Sequence, residues 1–137
     1  MTVTVRSATL GDIADVLTLW READAEPTHT DNAESVDRLI VHDSGALIVA
    51  EANNRIVGSV IAGWDGWRGS VYRLVVAPSH RRQGLGRRLV REAENRLMKL
   101  GAVRYQAIVV ENDSRATAFW RSTGWDQQAQ RLRFVKG

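Results

Sequence analysis

The run Leu74-Val75-Val76-Ala77-Pro78-Ser79-His80-Arg81-Arg82-Gln83-Gly84-Leu85-Gly86-Arg87-Arg88-Leu89 constrains this chain more than any other. A β-branched apolar stretch stops at a proline, passes through a basic loop with two glycines, and continues with apolar residues at helical spacing. A strand, a loop and a helix N-terminus therefore meet at one point. Glycines at 84 and 86 let the backbone turn its N–H groups toward a common centre, and the first N–H groups of a helix have no intrahelical partner. Together they make an anion site. The flanking Arg81, Arg82, Gln83, Arg87 and Arg88 suit a ligand with several phosphate charges. The Walker pattern requires a Gly-Lys pair that the chain lacks, and the dinucleotide fingerprint requires a small residue where Leu89 stands. Taken alone, the loop could also be the arginine-rich start of a solvated helix.

At 137 residues the chain is long enough for one ordinary domain that buries about two-thirds of its extended surface. With no cysteine, it has no disulfide, no thiolate zinc site and no cysteine nucleophile. No apolar run approaches a bilayer span, and the start MTVTVRSATLGD reads as a strand pattern rather than a signal peptide, so a cytoplasmic location is expected. The pI of 9.9 invites a nucleic-acid reading. However, residues 81 to 91 hold five arginines and no acid; removing those from the net charge of +3 leaves the rest at −2. A field this local suits one polyanionic small molecule better than a duplex, and neither nucleic acid nor membrane is expected as a partner.

Val3 and Val5 alternate as a first strand. Thr9 and Asp12 form an acidic capping box before a helix with Ile13, Val16, Leu17, Leu19 and Trp20 on one face. A loop from Ala25 to Asn32 precedes a short helix, Ala33 to Val41, that turns Val36, Leu39 and Ile40 inward. Residues 46–52 and 55–63 read as a hairpin closed by Asn53-Asn54, a pair tolerant of positive φ. Val71 to Ala77 is the strand that feeds the basic loop. Leu85, Leu89, Ala93, Leu97 and Leu100 mark the buried stripe of a long helix that Gly101 ends. Arg104 to Val110 is a strand reached by a helical crossover and so parallel to 71–77. Asn112, Asp113 and Ser114 cap a short helix through Phe119 and Trp120, closed by Gly124. Trp125 onward and Leu132 to Val135 are expected as a final antiparallel pair.

Arg-x-x-Gly-x-Gly after a strand ending in Val-x-Pro closely resembles the acetyl-CoA pyrophosphate loop of the Gcn5-related N-acetyltransferases (GNAT). Asn112, Ala116, Ala118, Phe119-Trp120 and Gly124-Trp125 resemble that family's second signature, in the correct order and spacing. The stretch Gly63-Trp-Asp-Gly-Trp-Arg-Gly-Ser70 further resembles a small bacterial subgroup typified by YpeA. The resemblance covers almost the whole chain. It implies a single domain over 1–137 of mixed α/β class, with a mostly antiparallel sheet, a parallel and splayed central pair (71–77 and 104–110), and helices on both faces.

The resemblance also implies acetyl transfer from acetyl-CoA, a cosubstrate, directly to a primary amine of a small molecule or peptide, with no metal. Leu74, Val75 and Val76 would pair with the pantetheine arm, one N–H near Val75 or Val76 polarising the thioester carbonyl. Arg81, Arg82, Gln83, Gly84, Leu85, Gly86 and Arg87 would grip the pyrophosphate through backbone N–H groups. Arg82 or Arg88 would reach the 3′-phosphate, and Asn112, Arg115 and Phe119 would complete the cofactor wall. Trp120 stands where the family commonly has a tyrosine thought to protonate the leaving thiolate, and indole has no proton to give. Tyr72, solvent, or no acid at all remain open, and Trp120 reads better as packing. Relatives often carry a glutamate on the strand before the loop, where this chain has Tyr72 and Arg73. Glu111, Asp65, Asp24, Glu26 and His29 are therefore candidate bases by placement, each also explicable as a solvated surface residue. The alternative to an enzyme is a CoA-binding module of the same fold with weak or no turnover. Loop 24–31 and the turn Trp64 to Trp67 are expected to border the acceptor cleft. The tryptophans there could instead serve a homodimer contact.

Overall fold

Asn53 and Asn54 take φ of 52° and 61°, the two left-handed positions of a tight hairpin turn. They join β2 (Leu47–Ala52) to β3 (Arg55–Trp64), with Leu47 opposite Ile61. The structure is a computed structural model describing residues 2–23, 25–110 and 113–137, in two units that divide after Ala107. In the first unit β1 (Thr4–Ser7) lies antiparallel to β2, β3 lies antiparallel to β4 (Gly69–Val76), and β5 (Tyr105–Ala107) lies parallel to β4. Spatial order is thus β1-β2-β3-β4-β5, the mixed sheet with a parallel pair that the helical crossover implied.

Neighbouring residues of β3 show where the helices lie. The hydroxyl of Ser59 meets Trp20 of α1 (Ile13–Glu22), whereas a Cβ on Gly58 would stand 2.9 Å from Leu89 of α3 (Leu85–Leu100). Consecutive strand residues face opposite sides, so α1 and α3 cover opposite faces. The Gly58 contact also explains the glycine, since a larger residue would push α3 off the sheet. Ile13, Val16, Leu19 and Trp20 of α1 and Val36 and Ile40 of α2 (Ala33–His42) are buried, as their spacing predicts. Leu85, Leu89, Val90, Ala93 and Leu97 form the buried side of α3. Leu100 does not belong to it. It is 43% exposed, because the helix ends there and Gly101, at φ 107°, turns the chain so that Ala102 is buried instead.

The Thr9 N–H donates to Asp12 Oδ2 at 2.7 Å, forming the acidic capping box ahead of α1. The Arg6 guanidinium, 2.8 Å from that oxygen, holds the Asp12 carboxyl down to about 2, and Asp12 in turn raises Arg6. Arg96 of α3 pairs with Asp43 and donates to the Ala62 carbonyl at 3.0 Å, binding helix to sheet.

In the second unit, α4 (Ser114–Ser122) starts at Asp113, whose Oδ1 accepts from the Ala116 N–H at 2.9 Å, and ends before Gly124 at φ 88°. Trp120 packs edge-on against Phe119 and Trp125, with ring centroids 5.7 and 4.7 Å apart. The expected strand pair after Trp125 does not form. Leu132 and Phe134, spaced as in a strand, are 83% and 90% exposed. Two short strands with charged neighbours are marginal without a third strand or a helix to cover them.

Candidate functional site

The register of β3 on β4 changes once. Ser59 lies opposite Val75, but Ile61 lies opposite Tyr72, so Arg73 and Leu74 share the single partner Val60. This is a β-bulge, and its first residue, Arg73, has φ of 52°. An arginine in the left-handed region costs about 1–2 kcal/mol relative to an extended one. Its surroundings hold it there. Fully buried Ser59 donates its hydroxyl proton to the Arg73 carbonyl at 2.8 Å and accepts from Trp20 Nε1 at 2.8 Å. The Arg73 guanidinium reaches the other way, to the carboxylate of Asp31, the Glu26 carbonyl at 2.6 Å and Thr28 Oγ1 at 3.3 Å, and lies 5.3 Å from the Trp20 ring.

The bulge fixes which N–H groups leave the sheet. The Ala77 N–H donates to the Val57 carbonyl at 2.8 Å, so strand alternation turns the Val76 N–H to the far edge and the Val75 N–H toward β3. The sequence expected one donor near Val75 or Val76, and it is Val76 whose N–H turns to that edge. On this edge the ladder to β5 ends at Val71–Ala107, three pairs long, and no rung covers Tyr72 to Val76 among the described residues. The sequence placed that pair at 71–77 and 104–110, and the observed strands are Gly69–Val76 and Tyr105–Ala107. Pairing stops where the bulge alters the course of β4.

From Val76 the chain passes through a 3₁₀ turn, Pro78–His80, into the basic loop. Arg82 takes φ of 64°, and Gly84, at φ 77°, is left-handed immediately before helical Leu85, the left-to-right step that turns successive N–H groups into a concave nest. The first regular helical bond of α3 runs from the Arg88 N–H to the Gly84 carbonyl at 3.1 Å, so the N–H groups of its first turn precede the ladder. Leu85 is buried and anchors the loop, while Arg82, Gln83, Gly84 and Arg87 are exposed. The arginines divide in role. Arg81 donates to the carbonyls of Val76 and Ala23, each at 3.3 Å, and Arg88 donates to the Val3 carbonyl at 2.9 Å. Both side chains tie the loop and helix to neighbouring strands and to the end of α1. The sequence offered Arg82 and Arg88 equally for a terminal phosphate, and local charge alone could not separate them.

Tyr72 is 51% exposed on β4, next to the bulge. Asp65 accepts the N–H groups of Arg68 and Trp67 at 2.8 and 2.7 Å, which lower its carboxyl from the usual range; it shapes the β3–β4 turn. Glu26 and His29 are exposed in the loop before α2. Arg115, Phe119 and Trp120 belong to α4 in the second unit, and Glu111, Asn112 and Asp24 lie outside the described residues. Two open surface grooves, one beside Glu34 and His42 and one beside Leu10 and Leu17, contain none of the candidate cofactor residues. No helix among the described residues is long and apolar enough to cross a membrane, and no cluster of metal-ligating side chains occurs among them. The role of Arg73 was missed from sequence. The cue was an arginine within a strand and an aspartate in a polar loop 42 residues away.

Comparison with known proteins follows the same lines. An acetyltransferase of Yersinia pestis (strain Pestoides F) is 32% identical over 117 residues, spanning 85% of this chain and 83% of that protein. The fold superposes on the PaiA N-acetyltransferase from Thermoplasma acidophilum, solved in complex with coenzyme A, with a TM-score of 0.85 and 17% identity over 96% of this chain and 94% of that one. It also superposes on the aminoglycoside 6′-N-acetyltransferase AAC(6′)-Ig from Acinetobacter haemolyticus, with a TM-score of 0.79 and 17% identity over 98% of both chains. The match to the Acetyltransferase (GNAT) family runs over residues 13–125, from the first helix through the loop and bulge to Trp125, and the chain is a member of that family.

Proposed function

We propose that the protein transfers an acetyl group from acetyl-CoA directly to a primary amine, holding the cosubstrate between the basic loop and the unladdered edge of β4. One observation carries this reading: the nest of N–H groups at the start of α3 follows directly on a strand edge where no ladder covers Tyr72 to Val76 among the described residues and Val76 turns its N–H outward. The nest and the first turn of α3, where Leu85 and Gly86 stand, bind the diphosphate, and Gln83 completes the loop before it. Arg82 and Arg87 supply the charge nearest the nest. The extended pantetheine arm adds to the β4 edge as a strand would, and an outward N–H polarises the thioester carbonyl. The neutral amine attacks that carbon and forms the C–N bond, the C–S bond breaks as the thiolate leaves, and the proton the nitrogen gives up passes to solvent while the thiolate takes one up. A thiol with a pKa of about 8.5 is a fair leaving group at neutral pH, so Tyr72 can assist as proton donor without being indispensable.

A second reading, a CoA-binding module with little turnover, draws on Trp120. Its ring is packed against Phe119 and Trp125 and carries no transferable proton. Two measurements on one preparation separate the readings: calorimetric titration with CoA, and release of free thiol from acetyl-CoA with ethanolamine, cadaverine, tryptamine or L-lysine amide. Saturable CoA binding with amine-dependent thiol release is expected. Binding without release from any amine would favour the module, and no binding at millimolar CoA would refute both.

A further inference from the structure

We infer that Arg73 is a positioning residue, and that with Asp31 it latches the loop over residues 25–32 beside the reacting carbonyl so that the loop orders the incoming amine. This rests on the proposed function and adds to it a specificity device absent from the loop's own sequence. Residues 25–32 have few regular hydrogen bonds of their own. Within them, the Asp31 N–H donates to the Thr28 carbonyl at 3.2 Å, the Thr28 N–H donates to Asp31 Oδ2 at 2.9 Å, and Asn32 donates to the His29 carbonyl at 3.0 Å. Their tie to the sheet is the Arg73 guanidinium. It engages the Asp31 carboxylate through two nitrogens, with Nε 3.0 Å from Oδ1, and the Glu26 carbonyl and Thr28 hydroxyl through Nη2. Both charged side chains are largely buried, at 15% and 17% exposure, where a fork-to-carboxylate pair is strongest and geometrically most selective.

The location gives the latch its meaning. The residue that grips the loop is the bulge residue whose carbonyl Ser59 anchors, on the stretch of β4 that no rung to β5 covers among the described residues. The loop is therefore one side chain away from the strand along which the thioester is proposed to lie, and an amine approaching that carbon passes within its reach. A strained backbone kept at a bulge, with its side chain spent on a remote loop, fits a conformation selected for what it holds in place.

The test uses Asp31→Asn, Arg73→Asn and the double variant in the full chain. Asparagine tolerates the left-handed backbone, so Arg73→Asn removes the fork while sparing the bulge. Each single variant is expected to raise KM for the best amine of the panel about tenfold, with CoA Kd changing less than about twofold, and the double variant should be no worse than the poorer single one. Amide exchange over residues 25–32 should quicken in both single variants, which reads the latch without any substrate. An unchanged amine KM, additive losses in the double variant, a fall in CoA affinity that tracks the loss of activity, or unchanged exchange would each overturn the inference. Failure of the parent protein to bind CoA would instead refute the proposed function, and exchange would still report on the latch.

Discussion

Replacing Ser59 by alanine removes one oxygen and leaves two groups without that partner, the buried Trp20 indole N–H and the part-buried Arg73 carbonyl, each 2.8 Å from it in the native chain. Ser59 is inaccessible and Trp20 is 4% exposed, so water cannot substitute without a rearrangement of the core. A buried polar group left unsatisfied costs about 1–3 kcal/mol, and the two together about 2–4 kcal/mol after the neighbours relax. That is a large share of a typical stability of about 5–15 kcal/mol. At this chain length 1 kcal/mol corresponds to roughly 3 °C, which predicts a fall in Tm of about 10 °C. Urea unfolding of the parent, Ser59→Ala, Trp20→Phe and the double variant closes a thermodynamic cycle. Because the two side chains share one hydrogen bond, the double variant should be less damaged than the sum of the singles by about 0.5–3 kcal/mol. A drop of less than about 2 °C in Ser59→Ala, or strict additivity, would refute the view that this hydroxyl anchors the bulge.

Other expectations follow from the same geometry. Gly84→Asp places a carboxylate at a left-handed residue of the nest and should weaken CoA binding at least tenfold by calorimetry, whereas Gly84→Ala should cost mainly about 1 kcal/mol of stability. Arg82→Ala should reduce the preference for CoA over 3′-dephospho-CoA, and Arg88→Ala, whose side chain holds the Val3 carbonyl, should leave that preference intact while lowering Tm. The Asp12 carboxyl is depressed in the folded state, so its contribution is complete above its unfolded value near 3.8 and disappears as pH falls toward about 2. Asp12→Asn should lower neutral-pH stability by at most about 2 kcal/mol and flatten the acid limb between those values in chemical unfolding.

Features decided by neighbouring residues were legible before the structure. Asn53-Asn54 fixes its hairpin because both residues accept positive φ; Thr9 and Asp12 bond across three residues; and the apolar spacing of α3 specifies its buried side through Leu97. The turn at Gly84 was legible from short-range turn chemistry, but the second turning residue is Arg82 at φ 64° rather than the expected Gly86, which lies in the first turn of α3. What sequence could not give was set by distant partners. Leu132 and Phe134 have strand spacing, but a strand needs something to pair with. The bulge at Arg73 arises from a one-residue offset between β3 and β4 that neither strand's composition reveals. A run of cations is visible in sequence, whereas the carbonyls of Ala23 and Val3 that accept from the Arg81 and Arg88 side chains are not.

Those two tethered arginines bear on how quickly an anion is captured. Their forks are held by main-chain oxygens, but their charge is not cancelled, so they maintain a positive potential at the mouth of α3 without having to reorient when a ligand arrives. Encounter would then respond to ionic strength through every arginine of the cluster, and residence time only through the few groups that touch the ligand. Added salt should therefore slow association much more than it hastens escape.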